Sequence, residues 1–179
     1  MPPFQNFTKK AKEVIRRSHE LAIERGQNHV NAIHLLAALV LQDDSLVYTL
    51  IDNIDVNAQE FAEGIVDEID DMEGEKTDDT LDSSVQMYLT PDLAQIIERS
   101  MKVSKEMKDE VISTEHLFLA LFDVENAAQS FLEDANISRT KVEKALKDLR
   151  DMEEQMETSF TKAFRNLSKF SRNLTEMAT

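Results

Sequence analysis

Two histidines, His34 and His116, stand at matching places in two similar stretches. Residues 31–40 read Asn-Ala-Ile-His-Leu-Leu-Ala-Ala-Leu-Val, and residues 113–122 read Ser-Thr-Glu-His-Leu-Phe-Leu-Ala-Leu-Phe. An imidazole can ligate a metal, carry a proton or activate a nucleophile. As a metal pair these two lack the i, i+4 spacing and a third ligand. Each sits at a helix start, where local bonding to the backbone is the expected role. No Ser-His-Asp arrangement, Gly-x-Ser-x-Gly elbow or His-Glu-x-x-His motif is expected. Glycine occurs at 26, 64 and 74 alone. The phosphate loop Gly-x-x-x-x-Gly-Lys is therefore missing, and ATP binding by such a loop is excluded. Cysteine is absent, which removes disulfides and thiolate metal sites and fits a reducing compartment.

The remaining candidates are polar groups at helix starts. Thr8 and Thr90 are helix caps, and a cap lies at a helix N-terminus, which attracts anions. Asp109 and Glu115 flank the start of the second apolar helix, where carboxylates interact favourably with the helix dipole and could also pair with a cationic partner. The net charge of −15 opposes nucleic-acid binding, which needs a basic footprint. Much of that charge lies in 68–84, an acidic stretch with Gly74 and no apolar period. This stretch lacks the spacing of a calcium loop and is expected to be a solvated connector.

The elements that must place these groups are helices. Leu, Ala, Glu, Lys and Met dominate, with three Gly and three Pro in 179 residues, which favours an all-α class. Thr8 opens a first helix with Ala11, Val14, Ile15, Ser18, Leu21 and Ala22 on one face, ended by Gly26. Asn31 caps a nearly all-apolar second helix. Asp43 or Asp44 opens a third, and Asn57 a fourth. The plan then recurs at a constant offset of 82 residues: Phe7-Thr8 with Leu89-Thr90, Val14-Ile15 with Ile96-Ile97, Arg17-Ser18 with Arg99-Ser100, and His34 with His116. Thr90-Pro91 is a helix start with proline at the first helical position, and Ser113, Asn126 and Ser138 open the next three helices. Two copies of a unit of about 65 residues predict a pseudo-twofold domain of eight helices rather than an open solenoid. The expected division is a leader over 1–6, a first repeat over 7–69, an acidic connector over 70–88, a second repeat over 89–150, and a helical linker over 151–179. In the linker, Met152, Met156, Phe160, Ala163, Phe164, Leu167 and Phe170 keep a helical period. No signal peptide is expected, and no apolar run approaches the roughly 20 residues of a membrane span.

The doubled unit resembles the Clp amino-terminal domain of ClpB- and ClpC-type AAA+ unfoldases. That family opens its first helix with Thr-x-x-Ala, follows it with a Gly turn, and starts the next helix with a Thr-Glu-His-Leu-Leu-like motif, all twice. The matching residues are Thr8-Lys9-Lys10-Ala11, Arg25-Gly26 and Ala32-Ile33-His34-Leu35-Leu36, then Thr90-Pro91-Asp92-Leu93 and Ser113-Thr114-Glu115-His116-Leu117. The strip from Leu167 to Ala178 is similar to the segment that joins this domain to the first ATPase module. The resemblance implies a non-catalytic domain that recruits substrates and adaptors for a hexameric, ATP-driven machine of protein quality control. Its partners would be unfolded or aggregated proteins, adaptor proteins and, through the full-length protein, a peptidase. Neither nucleic acid nor membrane is implied. ATP and magnesium would belong to downstream modules, with no cofactor in this segment. The segment would be monomeric and the location cytoplasmic. The family's substrate-handling positions match Thr8, Asp109 and Glu115, and Thr90 is the repeat equivalent of Thr8. ClpC-type members use the Glu of both Thr-Glu-His motifs to bind phosphorylated arginine; this chain keeps Glu115 and departs from the pattern at Ile33. Two competing readings are a helical, carboxylate-dependent metal enzyme and a plain scaffold.

Overall fold

A computed structural model describes residues 6–27, 29–71 and 88–178, with the backbone alone for 88, 160 and 164–178. Its described elements run α1 (Lys9–Glu24), β1 (His29–Val30), α2 (Ala32–Leu41), α3 (Leu46–Asp52), α4 (Ala58–Asp70), β2 (Tyr88–Leu89), α5 (Pro91–Glu106), α6 (Thr114–Asp123), α7 (Ala127–Asp134) and α8 (Arg139–Ala178). The fold is all-α. The chain forms two compact units, 1–142 and 143–179. The acidic stretch 72–87 and the leader 1–5 lie outside the described residues.

Local chemistry sets the helix starts. The Thr8 hydroxyl accepts from the Ala11 N–H at 3.1 Å, and Asn31 and Asn57 cap α2 and α4 through their side-chain oxygens. Each removes an orphan donor of the first turn, worth about 1 kcal/mol. The third helix departs from expectation: Ser45, not Asp43 or Asp44, caps α3, accepting from the Tyr48 N–H at 3.0 Å. Asp44 instead takes a left-handed backbone with φ of 52°, which suits the 86° bend between α2 and α3 and which Asp tolerates better than most residues.

The repeat governs geometry as well as sequence. α1 and α5 begin and end at the same offset of 82, as do α2 and α6. Arg17 pairs with Glu24 at 2.8 Å, and Arg99 with Glu106 at 3.1 Å. Ser18 and Ser100 are buried and donate to the carbonyls of Ile15 and Ile97. α2 and α6 form the centre of the 1–142 unit: α2 packs against α1, α3, α4, α5, α6 and α7, and α6 against α1, α2, α3, α5 and α7. That setting explains their composition, because a helix enclosed by neighbours has no polar face to show to solvent. Phe118, Leu35, Leu36, Leu39, Leu117 and Leu119 are among the largest fully buried side chains.

The halves are joined by exchanged backbone pairing. Val30, just ahead of α2, pairs in parallel with Leu89, just ahead of α5; the Thr90 N–H donates to the Val30 carbonyl at 3.0 Å. Phe7, ahead of α1, pairs in parallel with Ile112, ahead of α6; the Thr8 N–H donates to the Ile112 carbonyl at 2.8 Å. Each half thus supplies the lead of its first helix to the approach of the other half's second helix. Backbone donors beside buried Phe7, Val30 and Ile112 need partners away from water, and here the other repeat provides them.

One difference between the copies yields a test. Gly26 closes α1 with φ of 68°, and Lys108 holds φ of 61° at the equivalent place after α5. A side chain costs about 1–2 kcal/mol in this region, partly offset by the entropy glycine loses on folding. Lys108→Gly is expected to raise stability in chemical denaturation by about 0.5–1 kcal/mol. Loss of stability in that variant contradicts this account of the turn.

Candidate functional site

The site is built from the start of α6 and the lead into α1. Ser113 caps α6, and its N–H donates to His116 Nδ1 at 2.9 Å. With Nδ1 accepting, the neutral ring carries its proton on Nε2, which meets Asp109 Oδ2 at 2.6 Å. His116 is 1% exposed and the Asp109 side chain 25%, so the bond is part-buried. The Ser113 hydroxyl donates to the Glu115 carboxylate. Thr8 joins them through its backbone bond to Ile112. Thr8 is thus tied by its backbone to the segment that runs from Asp109 to Glu115, in which Glu110 and Val111 are exposed.

Thr90 belongs to the repeat-equivalent corner. There Asn31 caps α2, its N–H donates to His34 Nδ1 at 3.1 Å, and His34 Nε2 donates to Gln27 Oε1 at 2.5 Å. Contrary to expectation, the Thr90 hydroxyl makes no capping bond to α5; it is buried and has no hydrogen-bond partner among the described residues. Burial, with Arg25 and His19 nearby, lowers the His34 imidazole from 6.5 to about 4. The two corners share a scaffold and differ in charge. Asp109, Glu110 and Glu115 stand where the first repeat has Gln27, Asn28 and Ile33. Ile33 is 6% exposed and part of the core.

The structure thus brings Ser113, His116 and Asp109 together, an arrangement the order of residues did not suggest. It is not a nucleophile-activating triad. The Ser113 hydroxyl lies 3.2 Å from His116 Nδ1, but that nitrogen, which would have to accept the hydroxyl proton, already accepts the Ser113 N–H at 2.9 Å, and the hydroxyl donates to Glu115. The first repeat holds Asn31, His34 and Gln27 in the same geometry without a nucleophile. Both are capping boxes in which histidine takes the usual place of Glu. Asp109 and Gln27 as ring partners were missed in the sequence, although both precede their histidines by seven residues and lie 82 apart. Among the described residues no three His, Asp or Glu side chains converge as a metal site, and no single helix is long and apolar enough to cross a membrane.

These features define a doubled all-α module with a half-buried, carboxylate-bearing corner at the start of α6. The model of the Clp repeat (R) N-terminal domain matches residues 6–135, and the chain belongs to that family. It is 26% identical over 175 residues to the chaperone protein ClpB of Bacteroides thetaiotaomicron, covering 98% of this chain and 20% of that protein. It is 25% identical over 176 residues to heat shock protein 104 of Schizosaccharomyces pombe, covering 96% of this chain and 19% of that protein. The chain therefore spans about a fifth of these relatives' length. Among solved structures, the Hsp104 N-terminal domain from Candida albicans aligns with a TM-score of 0.69 at 19% identity, covering 82% of this chain and 92% of that one. The ClpV N-domain in complex with a VipB peptide aligns with a TM-score of 0.59 at 15% identity, covering 78% and 84%.

Proposed function

We propose that this chain is the substrate- and adaptor-recruiting N-terminal domain of an ATP-dependent Clp unfoldase or disaggregase. Residues 7–69 and 89–150 are its two repeats, 70–88 the connector, and 151–179 the lead toward an ATPase module that supplies ATP and magnesium chemistry. The segment is non-catalytic and the assembled machine hexameric and cytoplasmic. Its partners are unfolded or aggregated proteins and adaptors, with a peptidase acting through the full-length protein. The ClpV N-domain with its bound peptide supports recruitment by this fold. The observation that carries the reading is the asymmetry between the corners: one scaffold, used twice, bears carboxylates at Asp109 and Glu115 on one side and neutral residues on the other. Folding does not need those charges, since Gln27 and Ile33 do without them. A negative charge retained at one of two equivalent places, half-buried and bonded to His116 and Ser113, gives this corner a potential that favours a cationic group on a partner.

The same symmetry supplies conservative tests. Asp109→Asn copies the amide that already serves His34, and Glu115→Gln keeps an acceptor for the Ser113 hydroxyl. Helix-dipole placement alone is worth about 0.3–1 kcal/mol, so both variants are expected to melt near wild type. Charge-assisted bonds contribute about 1.5–3 kcal/mol. Glu115→Gln should therefore weaken binding of reduced, alkylated lysozyme, an unfolded basic chain, about tenfold, with the difference shrinking at high salt. If Glu115→Gln binds as wild type but melts lower, the residue is a helix-start acid and recruitment lies elsewhere.

A further inference from the structure

The geometry points to a second docking surface, at the turn between α2 and α3, that takes an arginine side chain flanked by aliphatic residues in an extended peptide. A depression of about 560 Å³ opens there, lined by Leu41, Asp43, Asp44, Tyr48, Thr49 and Ala62. Leu41 is 44% and Tyr48 37% exposed, high for large apolar side chains. Asp43 and Asp44 are exposed, and neither carboxylate forms an ion pair among the described residues. Lys10 approaches, but its ammonium donates to the Asp44 backbone carbonyl at 2.9 Å, which leaves both carboxylates available.

The second repeat shows what chemistry the equivalent turn accepts. At the end of α6, Asp123 holds the guanidinium of Arg99 at 2.9 Å and that of Arg139 at 2.8 Å. The Gln129 amide donates to the carbonyls of Leu121, Phe122 and Val124, and the Asn126 amide to those of Leu121 and Val124. Leu41, Asp44 and Val47 occupy the places of Asp123, Asn126 and Gln129. In the first repeat Arg17, at the place of Arg99, pairs with Glu20 and Glu24 instead, Asn57 stands at the place of Arg139, and Leu41 supplies an apolar wall where Asp123 holds its two cations. A helix C-terminus carries partial negative charge, and two carboxylates add to it. The complement is a planar cation that bonds carboxylates in a fork and stacks on an aromatic face such as Tyr48, on a stem and neighbours apolar enough to cover Leu41. This assignment does not rest on a role for Glu115.

The test titrates an eight-residue peptide of alternating leucine and arginine into the isotope-labelled protein and follows amide resonances. The expected shifts are at Leu41, Tyr48 and Thr49. The double variant Asp43→Asn, Asp44→Asn should weaken binding about tenfold, since two charged contacts are removed; asparagine tolerates the left-handed backbone at 44, so the turn persists. Leu41→Ser, at an exposed position, should weaken it as well, and Glu115→Gln should leave these shifts unchanged. Wild-type affinity in the double variant overturns the proposal. So does equal binding of a peptide with glutamine in place of arginine, or a shift pattern confined to Thr8, Asp109 and Glu115.

Discussion

Leu121→Ala is expected to destabilise the folded 1–142 unit by about 2–5 kcal/mol, in one cooperative transition that includes both repeats. Leu121 is fully buried in α6. Its truncation loses the transfer energy of the removed atoms and leaves a cavity that helices fixed on several sides cannot close. The single transition follows from connectivity. Removing packing at α6 weakens α5 directly, α2 and α1 through shared contacts, and the approach to α6 through Phe7 and Ile112. The first half cannot remain intact alone, because Val30 would lose its pairing with Leu89. Leu39→Ala, the equivalent change in α2, should behave alike. The check is denaturant titration of the amide resonances of α2 and α6, which should vanish at one midpoint that moves together in both variants. Two separated midpoints, or a shift below about 1 kcal/mol, would count against the shared core.

Acid is expected to remove about 3 kcal/mol of stability through His34 between roughly pH 6.5 and pH 4. Burial lowers the folded imidazole to about 4 from 6.5, with Arg25 and His19 adding to the effect. The unfolded chain therefore binds the proton more readily in that window, and unfolding takes one up. The stabilisation is complete above pH 6.5, declines as pH falls, and has gone below about 4. The geometry gives the cause: His34 Nδ1 accepts the Asn31 N–H, so a second ring proton would displace the capping box of α2 and place a charge opposite a neutral amide. Gln27→Asp, which imitates Asp109 opposite His116, should raise the His34 pKa and flatten this part of the acid limb. Proton NMR of the ring is the direct measurement. A His34 resonance that titrates near 6.5 in the folded protein excludes this mechanism.

The residues that were legible in advance act within about four positions of themselves. Thr8, Asn31, Asn57 and Ser113 announce helix starts because a cap bonds the next turn of its own helix. The apolar content of α2 and α6 shows that they are central because an enclosed helix has no polar face. Ser45 was overlooked beside Asp43 and Asp44, since any of the three could cap α3 and only the path of the chain out of α2 separates them. The linker beyond 150 has a helical period in sequence and a helical backbone in the structure, while the side chains that carry most of its apolar stripe lie outside the described residues.

What the sequence determined by itself is the all-α class, the two copies at an offset of 82, most of the helix starts and the identity of the apolar faces, because periodicity and capping are properties of neighbouring residues. Tertiary structure alone decided that Phe7 meets Ile112 and Val30 meets Leu89, that Gln27 and Asp109 bond the two histidines, and that Thr8 is tied to Ile112 ahead of α6 and Thr90 to Val30 ahead of α2. Those pairings span from seven to more than a hundred residues. They arise because buried backbone groups and ring nitrogens must find partners wherever packing brings them, and hydrophobic pattern carries no record of which partner that will be.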